Sequence, residues 1–403
     1  MAQVNQDDRS AADVFDPFTQ DFLRDPYPHY HKLRAHSPIF FHPQLNAWLI
    51  SGYRELDDLL RSNNLGRGDE MRFFGNFTEG GGVDRVSVDW IFYKDPPDHT
   101  RLRRIFAQAF TPRRVESLRA YTRDVVDSLL DDLEHDNNFI RAVADRLPVK
   151  VICRMLGVPE NLHDAAKVRS SALVPLLDPL ISDAQLEAAE AASSWFLELF
   201  GQIVEEKARQ PGHDLISALL EAEADGERLT RAEIIGNVVF LFAAGHETTT
   251  STIGSTLVAL LRNPDELQLL LQQPELAAGA IAESVRWDSP VQYVGRLVTK
   301  EFTYEGVEFV AGQRVMGMIG AANRDPRQFP NPDQYAITRD EGKSMAFGSG
   351  IHFCMGAALA RMEAEIALDR IFTRYPRISL LSEPVQGDRF AMRSYSMLEV
   401  KTR

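Results

Sequence analysis

One long helix near the middle of the chain constrains the fold more than any other feature. Thr230-Arg231-Ala232-Glu233 has the spacing of a capping box, and helical character continues to Leu261, just before Asn263-Pro264. At 1.5 Å per residue this run predicts a helix of about 45 Å, long enough to cross the whole molecule. Residues Ile234 to Ala244 are apolar nearly all round. We therefore expect a buried helix with the rest of the chain packed around it.

The remaining pattern predicts a mainly α fold with a small β region. A chain of 403 residues has room for several domains, but no repeat or Gly/Ser linker divides it, so we expect a single domain over residues 1–403. The predicted elements are a hairpin at 38–41 and 47–52, a helix at Tyr53–Arg61, an irregular stretch at Leu65–Trp90, amphipathic helices between 98 and 210, strands at Arg296–Thr303 and Val315–Met318, and a last helix at about Met355–Tyr375.

Charge and composition exclude several classes of function. The chain has 44 Lys and Arg against 58 Asp and Glu, a net charge of −14, which argues against nucleic-acid binding and against docking to an anionic membrane. Its 2 cysteines exclude a disulfide scaffold and a four-cysteine zinc site. We find no apolar run of signal-peptide or membrane-spanning length. A cytoplasmic protein is therefore expected.

The segment Phe347 to Gly356 has the composition of a tight loop that brings its backbone close to another group. It contains three glycines in ten residues, and Cys354 lies just before a helical run. A helix N-terminus lowers a thiol pKa, so this cysteine suits a nucleophile or a soft metal ligand. As a single ligand it suits haem iron better than zinc. The alternative is an ordinary buried cysteine, as we interpret Cys153, but the glycine spacing disfavours it here.

A second candidate site lies inside the long helix, at Ala244-Gly245-His246-Glu247-Thr248. An acid beside a hydroxyl is costly to bury without a purpose, and the glycine weakens the helix by about 1 kcal/mol. Thr248 can also bond back to the carbonyl of residue 244 and open the helix. The alternative is a helix that emerges into solvent, with Thr249 and Thr250 continuing a polar face.

The cysteine loop resembles the haem-binding loop of the cytochrome P450 family, Phe-x-x-Gly-x-x-x-Cys-x-Gly, at every fixed position. The resemblance implies the family's triangular α-helical prism and a haem b with Cys354 as axial thiolate. It also implies that Phe347 packs near the sulfur and that Gly350 and Gly356 give backbone room.

The helix motif resembles the family's (Ala/Gly)-Gly-x-(Asp/Glu)-Thr sequence on the distal side of the haem. The resemblance implies that Glu247 and Thr248 relay protons for dioxygen cleavage. It places Ala244 and Gly245 against the cofactor, with a kink at Ala243–Gly245 over the oxygen site.

Glu283-Ser284-Val285-Arg286 resembles the family's Glu-x-x-Arg pair, a structural lock behind the cysteine loop. Residues three apart share a helix face, so Glu283 and Arg286 should pair. The family usually completes this lock with an arginine that would fall at Gln334 here. The third member of the network is therefore uncertain at this point.

Haem propionates need cationic or N–H partners. Four residues resemble the family's propionate contacts: His99, Arg103, Arg296 and His352. A solvated basic face is the alternative for the arginines near residue 100, and we adopt it for Arg101 and Arg104. Together with Arg113 and Arg114, these two form a basic patch that would dock an acidic electron carrier.

The resemblance implies substrate-recognition regions with mainly apolar side chains, which map to Leu65–Trp90, about Ala172–Ser194, Asn237–Gly245, Val291–Leu297 and Phe390–Ser396. This implies a hydrophobic substrate such as a terpenoid, steroid, fatty acyl or polyketide/macrolide compound, without choosing among them. Arg393 is either a partner for a substrate carboxylate or, more simply, an exposed surface arginine. The candidate pocket residues are Phe73, Phe74, Trp90, Phe242, Val291, Val294, Leu297 and Tyr395.

The implied activity is monooxygenation, in which one oxygen atom of O₂ enters the substrate and the other becomes water. The chain ends soon after the last helix, so we expect electrons from a separate ferredoxin and an NAD(P)H-dependent ferredoxin reductase, and a monomeric enzyme. Two alternatives remain: a peroxide-driven peroxygenase of the same fold, and a non-catalytic haem-thiolate protein that senses or carries a ligand. The intact Glu247-Thr248 pair disfavours both.

Overall fold

Helices form most of the chain that the computed structural model describes, which is residues 13–68, 77–179 and 181–402. In chain order they are α1 (Gln20–Arg24), α2 (Tyr27–His36), α3 (Tyr53–Arg61), α4 (Gly82–Ser87), α5 (Asp98–Ala109), α6 (Pro112–Ser117), α7 (Arg119–Leu133), α8 (Leu147–Leu156), α9 (His163–Leu173), α10 (Asp183–Arg209), α11 (Leu215–Glu221), α12 (Arg231–Arg262), α13 (Pro264–Gln272), α14 (Ala277–Trp287), α15 (Ile319–Ala322) and α16 (Ala357–Arg374). Shorter helical turns include Ile91–Tyr93, Ile140–Ala144 and Val174–Leu177.

The predicted long helix is α12, and both bonds of its capping box are present. The Glu233 amide donates to Thr230 Oγ1 at 3.2 Å, and the Thr230 amide donates to Glu233 Oε2 at 2.7 Å. The helix ends at Arg262, and the amide of the capping residue Asn263 donates to the Ala259 carbonyl. Pro264 begins the next helix. Most side chains of α12 are buried. Helices α8, α10, α14 and α16 pack around it and form the larger hydrophobic core with it.

The β region is a five-stranded sheet with smaller two-stranded pairs beside it. The predicted first hairpin is confirmed, and its second strand pairs in parallel with the strand at Arg314–Gly317. In chain order the strands are β1 (Ile39–His42), β2 (Ala47–Ile50), β3 (Leu65–Gly66), β4 (Glu223–Ala224), β5 (Glu227–Arg228), β6 (Val294–Val298), β7 (Phe302–Tyr304), β8 (Val307–Phe309), β9 (Arg314–Gly317), β10 (Ser379–Leu380), β11 (Val385–Gln386), β12 (Tyr395–Met397) and β13 (Val400–Lys401). The order of strands in the five-stranded sheet is β1-β2-β9-β6-β3.

Two element predictions need correction. The run Arg296–Thr303 is not one strand, because β6 ends at Val298 and β7 belongs to a hairpin that turns at Glu305 and Gly306, both with positive φ. The stretch Leu65–Trp90 is also less irregular than expected, since it contains β3 and α4. Helix α4 starts at Gly82, where a side chain does not fit, because a Cβ would lie 2.6 Å from the Glu190 carbonyl oxygen.

No helix in the described part of the chain is both long enough and apolar enough to span a bilayer. Cys153 lies in the core beside α12, as predicted, and burial raises its thiol pKa to about 12. At that pKa the thiol is neutral and unreactive near pH 7.

Candidate active site

The two motifs that the sequence singled out line the same cavity. The cavity measures about 320 Å³. Ala244, Gly245 and Thr248 of α12 line it, and the loop before α16 contributes Phe347 and Cys354. Residues about a hundred positions apart in the chain therefore meet around a space of the size that small-molecule sites have.

The cysteine loop holds its shape through backbone bonds and left-handed glycines. The Cys354 amide donates to the Phe347 carbonyl at 2.8 Å, while Gly348 and Gly350 have φ of 77° and 70°. A Cβ on Gly350 would lie 2.6 Å from the Leu60 carbonyl oxygen. The backbone room that Gly350 provides therefore lies toward the end of α3.

The Cys354 side chain is exposed and lines the cavity. Burial raises its thiol pKa, against the opposing effect of the Gly356 and Ala357 amides and of Arg103 and Arg361. Gly356 lines the cavity, and a Cβ there would lie 3.9 Å from the sulfur. The site thus combines a single sulfur donor with N–H groups and cations that favour its thiolate form.

Helix α12 presents its Thr248 turn to the same cavity. Thr248 Oγ1 donates to the Ala244 carbonyl at 2.7 Å, the back-bond that the sequence predicted. The helix nevertheless runs without interruption through Ala243–Gly245, so the expected kink does not break it. Glu247 is half-buried and lies outside the described lining of the cavity, one position away from it.

A cluster of basic side chains forms one edge of the cavity. The rings of His99 and His352 lie 4.2 Å apart, and Arg103 Nη2 donates to the Phe353 carbonyl at 2.7 Å. Burial lowers the pKa of His99 to about 4, with Arg103 adding to the effect. Burial and the nearby arginines lower the pKa of His352 to about 2. Both histidines are therefore neutral near pH 7 and offer ring N–H groups, while Arg103 supplies positive charge, and this combination is suited to hold anionic groups.

Arg296 and Arg67 complete this cluster. Arg296 lies buried on β6 and bonds the Gly295 carbonyl at 2.6 Å. Arg67 was not predicted. It lines the cavity, donates to the same carbonyl at 3.3 Å and stacks over the Phe92 ring at 3.8 Å. Arg67 follows β3 within a stretch that we interpreted as irregular. Without a helical or strand periodicity, the sequence did not predict which way its side chain points.

The comparisons with known proteins agree with this arrangement. The family model "Cytochrome P450" matches residues 162–383. Cytochrome P450 107B1 of Saccharopolyspora erythraea is 38% identical over 349 residues, which are 84% of each chain. The vitamin D(3) 25-hydroxylase of Pseudonocardia autotrophica is 34% identical over 394 residues, which are 96% of each chain. The chain belongs to the cytochrome P450 family.

Solved P450 structures share the whole fold. That of P450BioI in complex with hexadec-9Z-enoic acid ligated acyl carrier protein has a TM-score of 0.89 and 31% identity, and covers 95% of this chain and 99% of its own. The protein is therefore a cytochrome P450 monooxygenase of the P450 fold, with a cysteine-ligated haem. The residues present fit that group, because the cavity offers one thiol, an apolar space and a cationic edge for its carboxylates.

The P450 lock behind the cysteine loop is complete in a form the sequence did not predict. Arg286 donates to both carboxylate oxygens of Glu283, at 2.6 and 2.7 Å, and all these atoms are buried. The third member is Arg339, whose Nε donates to Glu283 Oε1 at 3.0 Å. Gln334 contributes its backbone carbonyl, which accepts from Arg286 and Arg339. The expected position was wrong by five residues, because the chain turns back on itself between them.

The lock reaches the cysteine loop through one buried asparagine. Arg286 Nη1 donates to the Asn323 carbonyl at 2.9 Å, and Asn323 Oδ1 accepts the Met345 amide at 2.7 Å. Met345 precedes Phe347 and lines the cavity. The ion pair therefore fixes the start of the loop that ends in Cys354.

Four of the predicted pocket residues lie elsewhere. Phe242 is fully buried against Phe196 and Phe200, on the face of α12 away from the cavity. Leu297 lies on the opposite face of β6 from Val294 and packs over Gly68. Tyr395 packs near Gly254, beyond the Thr248 turn. Trp90 stands behind the wall, stacked on Tyr93.

The observed wall comes mostly from residues that the sequence analysis did not name one by one. Val291 and Val294 do line the cavity, whereas Phe73 and Phe74 lie outside the described residues. Six further lining residues lie inside the predicted recognition regions: Leu176, Leu177, Phe240, Leu241, Tyr293 and Met392. Phe92 and Tyr93 lie outside those regions. On α12 the error is a matter of helical phase, since residues 240, 241, 244 and 248 share the face that 242 does not.

The predicted roles of the outer arginines are also corrected. Arg393 is neither exposed nor in the cavity: it is buried in an ion pair with Asp288 at 2.5 Å. Arg101 pairs with Glu233 and lies 3.7 Å from Glu227, and Arg104 pairs with Asp225. Arg114 donates to the His213 carbonyl at 2.9 Å. Arg101 and Arg104 of the predicted basic patch are therefore neutralised by acids of the β4–β5 hairpin and of α12, whereas the bond of Arg114 to a carbonyl leaves its charge in place.

Proposed function

We propose that this P450 inserts one oxygen atom of O₂, by hydroxylation or epoxidation, into a hydrophobic small molecule held between α12 and the cysteine loop. One observation carries the proposal: Cys354 and the residues Ala244, Gly245 and Thr248 of α12 line one cavity, together with His99, Arg103 and His352. No part of that arrangement depends on the comparisons, which support it independently.

In this proposal Cys354 would bind the haem iron through its sulfur, and Phe347 and Gly356 would shape the space around that sulfur. The haem, when bound, supplies the chemistry of dioxygen activation. Its carboxylates would be held by His99, Arg103, Arg296 and His352, with Arg67 as a further cation. Ala244 and Gly245 would lie against its face, since both line the cavity and neither carries a large side chain.

Protons would reach the cavity through the Glu247-Thr248 pair. Glu247 is half-buried, so its carboxyl can exchange a proton with solvent. Thr248 Oγ1 lies on the cavity wall, where its hydroxyl now donates to Ala244 O. By rotating away from that carbonyl, the hydroxyl can pass a proton inward and recover one from the Glu247 side. The pair supports O₂-driven turnover over the peroxide-driven alternative.

The wall supports an apolar substrate. It is formed by aromatic and aliphatic side chains, and the hydroxyl of Tyr293 is already bonded to the Leu177 carbonyl at 2.5 Å. The names of similar proteins include a vitamin D(3) hydroxylase and a P450 with an acyl carrier protein. We therefore propose a terpenoid, steroid, fatty acyl or polyketide/macrolide compound.

We propose that electrons come from a separate ferredoxin and its NAD(P)H-dependent reductase. Ile351 and Phe353 flank His352 on the cysteine loop and are 54% and 41% exposed. Exposed apolar side chains so close to Cys354 suit a transient docking surface. We further propose that residues 1–403 form one P450 domain, which the 95% coverage by a single P450 chain supports.

The absorption spectrum of the dithionite-reduced protein with carbon monoxide tests the proposal. We expect the strongly red-shifted Soret band of thiolate-ligated haem, and its loss in Cys354→Ala. Cys153→Ala is the matched control, because that thiol is buried in the core and should leave the band in place. A thiolate band that survives in Cys354→Ala would remove the central assignment.

A further inference from the structure

The substrate cavity has an aromatic wall that is built on a short loop. Phe92 and Tyr93 belong to the turn Ile91–Tyr93 and line the cavity. The Phe92 ring lies between the Arg67 guanidinium, at 3.8 Å, and the Phe240 ring, at 5.3 Å. A wall of this kind shapes a ligand only if the loop backbone is held in place, since a free loop loses affinity through its mobility.

Asn237 of α12 holds this backbone with its whole side-chain amide. Asn237 Oδ1 accepts the Ile91 amide at 2.7 Å, and Nδ2 donates to the Asp89 carbonyl at 2.6 Å and to the Glu233 carbonyl at 2.8 Å. The side chain is fully buried. Water cannot replace these bonds, so the loop and the helix depend on this one group.

Gly236, the residue before Asn237, allows α12 to approach the chain between α4 and the aromatic turn. A Cβ on Gly236 would lie 2.9 Å from Asp89 Cβ and 3.0 Å from the Val86 carbonyl oxygen. Glycine therefore allows α12 to approach the chain between α4 and the aromatic turn closely enough for Asn237 to bond it. Gly236 and Asn237 therefore act on the same segment: Gly236 leaves room for the contact, and Asn237 holds the segment by hydrogen bonds.

The far end of the same segment is fixed by α10. Glu190 accepts the Thr78 amide through Oε1 and the Val83 amide through Oε2, both at 2.9 Å. The segment from Thr78 to Tyr93 is thus attached at each end to a core helix. Its aromatic end is the one that meets the cavity, and Asn237 is the residue that attaches it.

We infer that Asn237 is a specificity-determining positioning residue, which sets the aromatic wall Phe92–Tyr93 against the substrate by bonding the loop at Asp89 and Ile91. It touches no substrate itself and acts through the wall. The inference rests on the proposed function, because it assigns the cavity to a substrate beside a haem.

The test compares Asn237→Leu with Asn263→Leu in the haem-loaded protein. Leucine is close to asparagine in size and makes none of the three bonds. Asn263 is the matched control, an asparagine at the end of the same helix that bonds the Ala259 carbonyl at 2.7 Å, far along α12 from the wall. If Asn237→Leu fails to fold, Asn237→Ser replaces it, because a serine hydroxyl can bond the Glu233 carbonyl of its own helix but cannot span to the loop.

Two measurements are made on each variant: amide hydrogen exchange in a peptide that covers residues 89–93, and spectral binding of imidazole and of 4-phenylimidazole. In Asn237→Leu we expect faster amide exchange in residues 89–93 and about tenfold weaker binding of 4-phenylimidazole. A tenfold loss corresponds to a protein in which the ordered conformation of the aromatic wall is populated in about one molecule in ten. Imidazole, which is too small to need the wall, should bind unchanged. Asn263→Leu should match wild type in all three.

Unchanged exchange and unchanged 4-phenylimidazole binding in Asn237→Leu would overturn the inference. Equal weakening of both azoles, or the same effect in Asn263→Leu, would overturn it too, because the loss would then be global. A wild-type protein without the thiolate band would instead contradict the proposed function, so the two failures are distinguishable.

Discussion

At the scale of single residues, Thr248 offers the sharpest test of how protons are delivered. Thr248→Ala removes the hydroxyl on the cavity wall and its bond to Ala244. With any compound that the wild-type enzyme oxidises, we expect product formation to fall by about 10²-fold, the scale of a lost general acid. Consumption of NAD(P)H should continue, with O₂ reduced to hydrogen peroxide. The measurement is the ratio of product and of peroxide to NAD(P)H consumed.

Thr256→Ala is the control for that substitution. Thr256 lies two turns further along α12, is fully buried and makes the same kind of bond, to the Thr252 carbonyl at 2.7 Å. Its loss should reduce stability slightly and leave coupling unchanged. Equal coupling in Thr248→Ala and wild type would make Thr248 a structural residue only.

Glu363 gives a prediction about pH and stability. It is buried on α16, and burial raises its pKa well above the ordinary range. The unfolded carboxyl ionises near pH 4.5 while the folded one stays protonated, so the folded state binds one more proton. Stability should then fall as pH rises above that point, by at most about 1.4 kcal/mol per pH unit.

Glu363→Gln removes this titration without changing the size of the side chain. Urea unfolding at pH 5 and pH 8 should show similar free energies for wild type and variant at pH 5, and a more stable variant at pH 8. Glu365→Gln, half-buried on the same helix, should show no such pH-dependent gain. A pH-independent difference for Glu363→Gln would mean that its carboxyl is ionised in the folded protein.

Residue-level prediction succeeded where the chemistry left few choices. Gly348 and Gly350 need positive φ, so their spacing marked the cysteine loop. The wall was harder, because Phe240 and Phe242 are the same residue type two positions apart and only helical phase decides between them. Arg67 and Arg339 gave no signal at all, since their partners are distant in the chain.

At the scale of elements, the buried lock makes opposite predictions for two neighbouring residues. Arg339→Gln removes a cation from Glu283 in a buried site, and we expect a loss of about 3 kcal/mol in the free energy of unfolding. Gln334→Ala should cost almost nothing, because only the backbone carbonyl of Gln334 is used and its side chain is exposed. Chemical denaturation of both haem-loaded variants measures the difference.

If Gln334→Ala lost much of its free energy of unfolding, or Arg339→Gln lost none, residue 334 and not Arg339 would be the third member of the lock. The spectrum at the thiolate band adds a second reading, since the lock reaches the cysteine loop through Asn323. We expect Arg339→Gln to lose the thiolate band earlier in the denaturation than wild type.

Element boundaries were predictable where local chemistry defines them. The capping box and Asn263-Pro264 fixed both ends of α12, and the hydrophobic run fixed its burial. Between Leu65 and Trp90, helix α4 begins at glycines, which led us to predict a loop there. The sequence could not show otherwise, because Gly82 is needed for a tertiary contact with α10 and not for a turn.

At the scale of the whole molecule, charge determines how an electron carrier approaches. The net charge of −14 repels an acidic carrier at long range. The arginines expected to oppose this are paired: Arg104 with Asp225, and Arg101 with Glu233 and near Glu227. Docking at Ile351 and Phe353 would then rest on apolar contact. We therefore expect that raising salt does not slow reduction by an acidic ferredoxin, because screening weakens the repulsion.

The double variant Asp225→Asn, Glu227→Gln tests this explanation directly. It removes Asp225, the partner of Arg104, and Glu227, which lies 3.7 Å from Arg101, while Arg101 keeps its pair with Glu233. Both acids are exposed, so the fold should tolerate the change. Stopped-flow reduction by the ferredoxin should become faster at low salt, and the rate should now fall as salt rises, since an attractive patch has been exposed. The Ile351→Ser, Phe353→Ser variant should slow reduction at every salt concentration. A wild-type rate that already falls steeply with salt would show that the paired arginines still steer the carrier, and the apolar docking surface would lose its support.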